Sequence, residues 1–341
     1  MKIGWRGILG VVISIALLWW TLRGVSFVEV WQILRTSRVD MFVLAALVAT
    51  LSFPLRAWRW RYILEPTAGT LPFGPLWRAT AVGMMVNNVS PARAGELARA
   101  YVVAHETKRV RFAAALASLV VDRVFDAVVI LLLLLTVALL PSFPPNAVAF
   151  GWPIDKLLLV SATVALVALI VLVVIAMNPE RLVRIAEPVI GRVAPKLLEH
   201  GRGFLLSFGS GLSVLRDPRR SAIVFFWALV MWLVNGASFW IAFKAVGIEG
   251  SFTTALFLQS LLAGAVAAPS APGFFGVFEA ATKVALRAYG IDDTLAVSYA
   301  LGYHLLAFVP ITLFGFWYLG KLGLHLKELG DGRQAAEAGT A

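Results

Sequence analysis

Three ionisable side chains, Asp122, Arg123 and Asp126, lie inside one long apolar run, residues 112–140. In a helix, Asp122 would lie about 16 Å beyond Arg111, near the middle of a membrane if the helix is upright. An unpaired charge at that depth costs roughly 2.5–3.5 kcal/mol, so these residues must be paired or hydrated. Arg123 and Asp126 are spaced to pair on one helix, which leaves a carboxylate for another helix or a substrate. A purely structural ion-pair cluster between helices is the alternative.

A second group of polar residues runs from Asn87 to Arg99 and reads Asn-Asn-Val-Ser-Pro-Ala-Arg-Ala-Gly-Glu-Leu-Ala-Arg. The apolar run before it, residues 79–86, is too short to span a bilayer, and a proline and a glycine interrupt the helix. We predict a re-entrant segment, whose free backbone groups must be buried in protein or line a wet cavity. A cytoplasmic loop followed by an ordinary capped helix is the alternative. Four side chains could hold an anionic head group at the new helix N-terminus: Asn87, Asn88, Arg93 and Arg99.

Arg56, Arg59 and Arg61 alternate with aromatic residues after the apolar run 40–53. Such a pattern is typical of the cytoplasmic end of a transmembrane helix, where arginine side chains reach the lipid phosphates and anchor the helix. Arg56 and Arg59 are three residues apart, so one helix face could instead present both to a bound lipid phosphate. The pattern favours anchoring, with phosphate binding as the alternative.

The composition of the 341 residues, 60% hydrophobic and 14% charged with a mean hydropathy of +0.84, excludes a soluble globular protein and indicates a polytopic helical membrane protein. Cysteine is absent, and the four histidines lack ligand spacing, so we predict no metal site and no cofactor. The net charge of +11 is carried by basic residues that flank the apolar runs. This distribution follows the positive-inside rule and argues against a nucleic-acid partner.

The hydrophobic pattern predicts an all-α polytopic membrane protein with about six full transmembrane helices and two broken re-entrant hairpins. The second hairpin begins with residues 252–268, is broken by prolines and glycines, and ends at Glu279. The two hairpins, one entering from each side, suggest inverted repeats like those of transporters. Lysine and arginine concentrate on the predicted inner side, which places both termini in the cytoplasm and the protein in the cytoplasmic membrane. The predicted full spans are residues 7–22, 40–53, 112–140, 154–177, 221–243 and 295–319.

The rest of the chain adds no separate catalytic domain. Residues 26–38 form either an amphipathic surface helix or a simple loop, and residues 141–153 form an external loop. Residues 178–220 are predicted to be an amphipathic cytoplasmic segment. We therefore predict one integral membrane domain, residues 1–329, followed by a disordered tail, residues 330–341.

Four motifs together resemble the lysylphosphatidylglycerol synthase transmembrane region, a flippase-like membrane family, over nearly the whole chain. They are Arg56-Ala-Trp-Arg-Trp-Arg61; Asn87 with Pro91-Ala-Arg-Ala-Gly-Glu96 and Arg99; Asp122-Arg-Val-Phe-Asp126; and Pro272-Gly-Phe-Phe-Gly-Val-Phe-Glu279. The family pattern usually has Glu where this chain has Asp122, and often an Arg near His304. Family members fused to an aminoacyltransferase domain make and flip aminoacyl lipids. Since this sequence contains no such domain, the resemblance implies translocation and a separate lipid-modifying enzyme as partner.

Our leading hypothesis is a lipid flippase that moves an anionic or modified lipid head group through a polar cavity between the hairpins. Arg93, Arg99 and Arg123 would bind the phosphate. The four acids Glu96, Asp122, Asp126 and Glu279 would pair with these arginines in the empty site and could carry protons. Arg56, Arg59, Asn87, Asn88 and His304 complete the candidate substrate-binding set. A membrane-embedded lipid-modifying transferase and a non-transporting scaffold subunit are the alternatives.

Overall fold

The computed structural model describes residues 5–90, 94–144, 148–149, 151–177, 206–266 and 270–325. Nearly all of them are helical, and the only strands are a two-residue antiparallel ribbon, β1 (Val148–Ala149) and β2 (Trp152–Pro153). Short 3-10 turns cover Ser213–Arg216 and Pro272–Phe274. The helices are α1 (Trp5–Leu22), α2 (Phe27–Thr36), α3 (Val39–Ala68), α4 (Phe73–Val89), α5 (Gly95–Thr107), α6 (Phe112–Ala138), α7 (Ile154–Met177), α8 (Pro218–Phe243), α9 (Phe252–Ala265), α10 (Val277–Arg287) and α11 (Asp293–Lys321).

Four of the described helices, α3, α7, α8 and α11, are long and apolar enough to cross a membrane. The α1–α2 pair, bent by 86°, would make a fifth span. The predicted all-α, multi-pass membrane class is therefore confirmed. The count of six from the sequence also includes α6, whose 27 residues are about 40 Å long. Its three central charges set α6 apart from the apolar helices.

Residues 26–38 contain the helix α2 and not a simple loop. Ser26 accepts a hydrogen bond from the Glu29 backbone N–H and so caps the helix. Val30 is buried against Val25 and Val297, while other apolar side chains of this helix are exposed beside its polar residues. Of the two interpretations of this segment, the amphipathic helix is correct.

Helix α3 continues to Ala68, although the sequence indicated that it ends near Phe53. Pro54 lies inside the helix and removes one backbone hydrogen bond, at a cost of about 3 kcal/mol. The turns beyond it bury Trp60 and Ile63 completely, and burial of each large apolar side chain contributes about 1.5–3 kcal/mol. Burial of these turns, together with the packing of α3 against α8, therefore outweighs the local effect of the proline.

Two helix–break–helix units are present, as predicted. Helix α4 ends at Val89 and α5 begins at Gly95, and these two helices pack together. Helix α9 ends at Ala265 and α10 begins at Val277, and they also pack on each other. A Cβ atom on Gly95 would collide with the carbonyl of Gly83, so these two glycines allow α4 and α5 to approach closely. Each unit lies between long helices, α3 and α6 or α8 and α11. The inverted relation of the two halves stays a prediction.

Several predictions concern residues outside the described part of the chain. They are the tail at residues 330–341, most of the amphipathic segment (residues 178–205) and the candidate phosphate ligand Arg93.

Candidate functional site

A cluster of four arginines and three carboxylates joins α3, α5 and α6. Asp122 is fully buried and accepts hydrogen bonds from Arg59 and, at 3.2 Å, from Arg99 Nη1. Arg56 Nη1 lies 3.8 Å from the same carboxylate. Asp122 therefore does not pair along its own helix. It connects α6 to the two neighbouring helices that carry these arginines.

Asp126, one turn further along α6, has even more partners. Its oxygens lie 3.1 Å from Arg56 Nη1, 2.7 Å from Arg59 Nη1 and 3.3 Å from Arg123 Nη1. The fourth contact is a hydrogen bond of 3.0 Å that the indole N–H of Trp232, on α8, donates to Asp126. Asp126 thus pairs with Arg123, as its spacing predicted, and it also contacts α3 and α8. Asp122 is the carboxylate that was left for another helix, and α3 and α5 use it. Hydrogen bonds to a charged group are stronger than neutral ones, so these contacts hold the helices together.

The cluster carries an excess positive charge. Arg56, Arg59, Arg99 and Arg123 face only Glu96, Asp122 and Asp126 among the described residues, so one cation has no matching carboxylate. Arg99 is fully buried, and its Nε and Nη2 groups have no hydrogen-bond partner in the described part of the chain. Its guanidinium lies 4.2 Å from the centre of the Trp60 ring, a cation–π contact. Buried unused donors are costly, and an anion would satisfy them.

One side of the cluster is open. The side chain of Arg123 is 43% exposed and that of Glu96 31% exposed, whereas the other members are nearly or fully buried. Arg123 Nη2 and Glu96 Oε1 form a 2.6 Å ion pair across this opening. Glu96 belongs to the first turn of α5, immediately after the helix break. A molecule that approaches the cluster would therefore meet this ion pair first.

The anchoring interpretation of Arg56 and Arg59 is wrong. Arg59 is fully buried and Arg56 is 9% exposed, so neither side chain reaches out to lipid phosphates. Because α3 continues past Pro54, both arginines lie on its inner face and not at a helix end. Arg61 differs, since its guanidinium lies over the Trp58 ring at 5.2 Å. The i,i+3 spacing of Arg56 and Arg59 does put them on one face, but that face meets two aspartates.

The two asparagines organise the first hairpin. Asn87 accepts a 2.9 Å hydrogen bond from the backbone N–H of Gly95, which ties the end of α4 to the start of α5. Asn88 donates to Thr312 of α11 at 2.8 Å. The predicted group of Asn87, Asn88 and Arg99 therefore does not converge on one point in this structure. Asn87 caps α5, while Arg99 points to Asp122.

Glu279 and His304 form a second buried pair, between α10 and α11. His304 Nδ1 lies 2.8 Å from Glu279 Oε1, and Glu279 Oε2 accepts the Gly276 backbone N–H at 2.6 Å. Phe278 stacks on the imidazole with a centroid distance of 4.2 Å. The prediction that Glu279 pairs with an arginine is wrong, because this acid lies in the second hairpin and its partners are a histidine and a helix N-terminus.

Three residues near these sites were missed by sequence reasoning. Trp60, which donates to Ser118 at 2.8 Å, was treated as an interfacial aromatic residue of the arginine motif, and Trp232 as part of an apolar helix. Lys283 is buried and donates to the Thr21 carbonyl at 2.8 Å. It lies one helical turn after Glu279, a spacing that could have identified it.

The geometry at the charge cluster suits reversible binding of an anion. Planar guanidinium groups with free donors recognise phosphate and carboxylate groups. Among the described residues, no group of three His, Asp or Glu side chains is arranged to hold a metal ion. The chemistry available at this site is therefore charge recognition by arginine, with carboxylates as competing partners.

Two relatives match over most of this chain. A UPF0104 membrane protein of Pyrococcus horikoshii is 21% identical over 325 residues, which cover 90% of this chain and 93% of the relative. The glycosyltransferase AglD of Haloferax volcanii is 27% identical over 289 residues, 76% of this chain. The chain spans only 45% of the length of AglD.

The family match extends over the motifs that build both sites. Residues 7–315 match the family described as the lysylphosphatidylglycerol synthase TM region. This range contains both hairpins, the charge cluster and the Glu279–His304 pair. The chain is a multi-pass membrane protein and belongs to the lysylphosphatidylglycerol synthase transmembrane region family.

Proposed function

We propose that this protein is a lipid flippase that moves an anionic or modified lipid head group across the cytoplasmic membrane. The observation that carries the proposal is the buried excess positive charge, with unused Arg99 donors, beside the break between α4 and α5. A scaffold gains nothing from an unmatched buried cation, because an unpaired charge only destabilises the fold. A phosphate group would neutralise it.

Arg123 and Glu96 would form the entrance. A head-group phosphate would displace Glu96 from Arg123 and then meet the free Arg99 donors, while the acyl tails stay in the bilayer. When the head group leaves, Glu96 pairs with Arg123 again. Asp122 and Asp126 hold Arg56 and Arg59 in place throughout, so that the positive site is preformed. The proposal includes cytoplasmic termini and a separate enzyme that supplies the modified lipid.

A liposome assay tests the proposal. The purified protein is reconstituted with fluorescent phosphatidylglycerol, and dithionite added outside measures the fraction of label that crosses the bilayer. Arg123→Gln should lower the translocation rate at least about tenfold, the effect of losing one charged hydrogen bond. The matched control is Arg38→Gln, an exposed arginine paired with Asp40 far from the cluster in sequence. Equal rates for the wild-type protein, Arg123→Gln and empty liposomes would reject the flippase.

A lipid-modifying transferase is the second candidate, because AglD is named a glycosyltransferase. Its expected result in the same liposomes is a lipid of changed mass after addition of a sugar or aminoacyl donor. Mass spectrometry of the extracted lipids separates the two functions. Movement of label without any change of lipid mass favours the flippase.

A further inference from the structure

A basic pocket lies apart from the charge cluster, where the end of α3 meets the α5–α6 connection and residues 206–216. Its volume is about 540 Å³, within the range of cavities that bind small molecules. Three arginines line it, and none of the described lining residues is acidic. The polar lining residues are Thr67, Arg109, Arg111, Ser207, Ser210, Ser213 and Arg216. We call this cavity the arginine–serine pocket.

The walls of the pocket are fixed by contacts between the three segments. Arg111 donates to the Ser207 hydroxyl at 3.3 Å, and Thr67 Oγ1 donates to the Ser210 carbonyl at 3.2 Å. A Cβ on Gly211 would collide with the carbonyl of Ala114, so residues 206–211 pack directly on α6. The pocket is therefore a built cavity and not a gap between loose loops.

Acidic residues beside the pocket in sequence are paired elsewhere. Glu65 and Asp217 both form ion pairs with Arg220, at 2.6 and 3.2 Å. Glu106 is paired with Arg78. Arg109 and Arg111 therefore give the cavity a positive potential, and the hydroxyl groups of the lining serines add polar atoms for hydrogen bonds.

We propose that the arginine–serine pocket binds a phosphate-bearing ligand, either an anionic lipid head group or a soluble phosphate ester. Guanidinium groups bind phosphate oxygens in bidentate fashion, and serine hydroxyls add donors at short range. Asp122 lies about 16 Å along α6 from Arg111, so this site and the charge cluster are separate. The inference does not depend on translocation.

Direct binding measurements test the pocket. The full-length protein in phosphatidylcholine nanodiscs is titrated with pyrophosphate, and the protein in uncharged detergent is titrated with dioctanoyl-phosphatidylglycerol. Arg109→Gln/Arg111→Gln should weaken binding of at least one probe about tenfold or more, because charged hydrogen bonds are lost. The single variant Arg109→Gln should also weaken binding of that probe. Because the Arg109 side chain is exposed, this variant should still fold even if the double variant does not.

Two controls make the result specific. Arg35→Gln, an exposed arginine on α2, and Arg38→Gln, the exposed partner of Asp40, should both bind the probes like the wild type. If the pocket variants lose binding of pyrophosphate only, the natural ligand is a soluble phosphate ester. If they lose binding of phosphatidylglycerol only, the natural ligand is a lipid. Absence of binding in the wild type, or equal affinity in wild type and pocket variants, overturns the proposal.

Discussion

Replacement of Asp126 by asparagine removes a carboxylate that contacts three of the four cluster arginines. Arg56, Arg59 and Arg123 each lose one charged partner, since they lie 3.1, 2.7 and 3.3 Å from the Asp126 carboxylate. The excess in the cluster rises from one positive charge to two at a site where water is scarce. Loss of one member of a buried ion pair costs about 3–5 kcal/mol, so we expect the free energy of unfolding to fall by that amount.

Arg59→Gln should be milder, although Arg59 is the more deeply buried residue. This substitution removes the excess charge, and each carboxylate keeps another arginine: Asp122 keeps Arg99 and Asp126 keeps Arg56. In Arg59→Gln/Asp126→Asn the cluster again has one excess positive charge. The losses of unfolding free energy in the two single variants should therefore not add up in the double variant. We expect a coupling energy of about 2 kcal/mol between the two sites.

Titration of the protein with sodium dodecyl sulfate in mixed micelles, followed by tryptophan fluorescence, measures these free energies. Trp60 and Trp232 are two of the twelve tryptophans and contact cluster residues, and the fluorescence of all twelve follows unfolding of the whole protein. Asp40→Asn, which breaks the exposed pair with Arg38, is the control and should leave the unfolding curve unchanged. Strict additivity of the two single effects, or an Asp126→Asn protein as stable as the wild type, would refute this account of the cluster.

Three further predictions follow from the hairpins and the topology. Gly95→Ala should cost about 1–3 kcal/mol in thermal or denaturant unfolding, because the new methyl group meets a backbone carbonyl of α4, whereas Gly264→Ala has open space and should be neutral or stabilising. His304→Ala leaves one oxygen of the buried Glu279 without its partner and should cost about 1–3 kcal/mol; an unchanged melting temperature would speak against the pair. Ser142→Cys should react with an impermeant maleimide only from outside the cell, and labelling only from inside would reverse the proposed topology.

The helical class could be predicted from the sequence because hydropathy and length alone decide which segments can cross a bilayer. The boundaries of α6 and α7 agree with their apolar runs to within a few residues, since nothing in those runs favours a break. Pro54 misled the prediction for α3. A proline is a local signal for a helix end, and only packing against α8 shows that the helix continues.

The candidate site was predicted in part. Asp122, Arg123 and Asp126 were found because charges in an apolar helix are costly and therefore must have partners. Their partners could not be found in the same way. Arg56 precedes Asp126 by 70 residues, and no periodicity within one helix reports a contact across that distance.

What the sequence by itself determined is the membrane class, the two broken hairpins and the demand that three deep charges be neutralised. These features depend on single segments and on the cost of polar groups in lipid. The tertiary structure alone decided that Arg56 and Arg59 face inward, that Glu279 pairs with His304, and that four arginines share three carboxylates. Which residue neutralises which charge depends on how the helices pack, because several arginines could satisfy the same carboxylate and only their positions in space select among them.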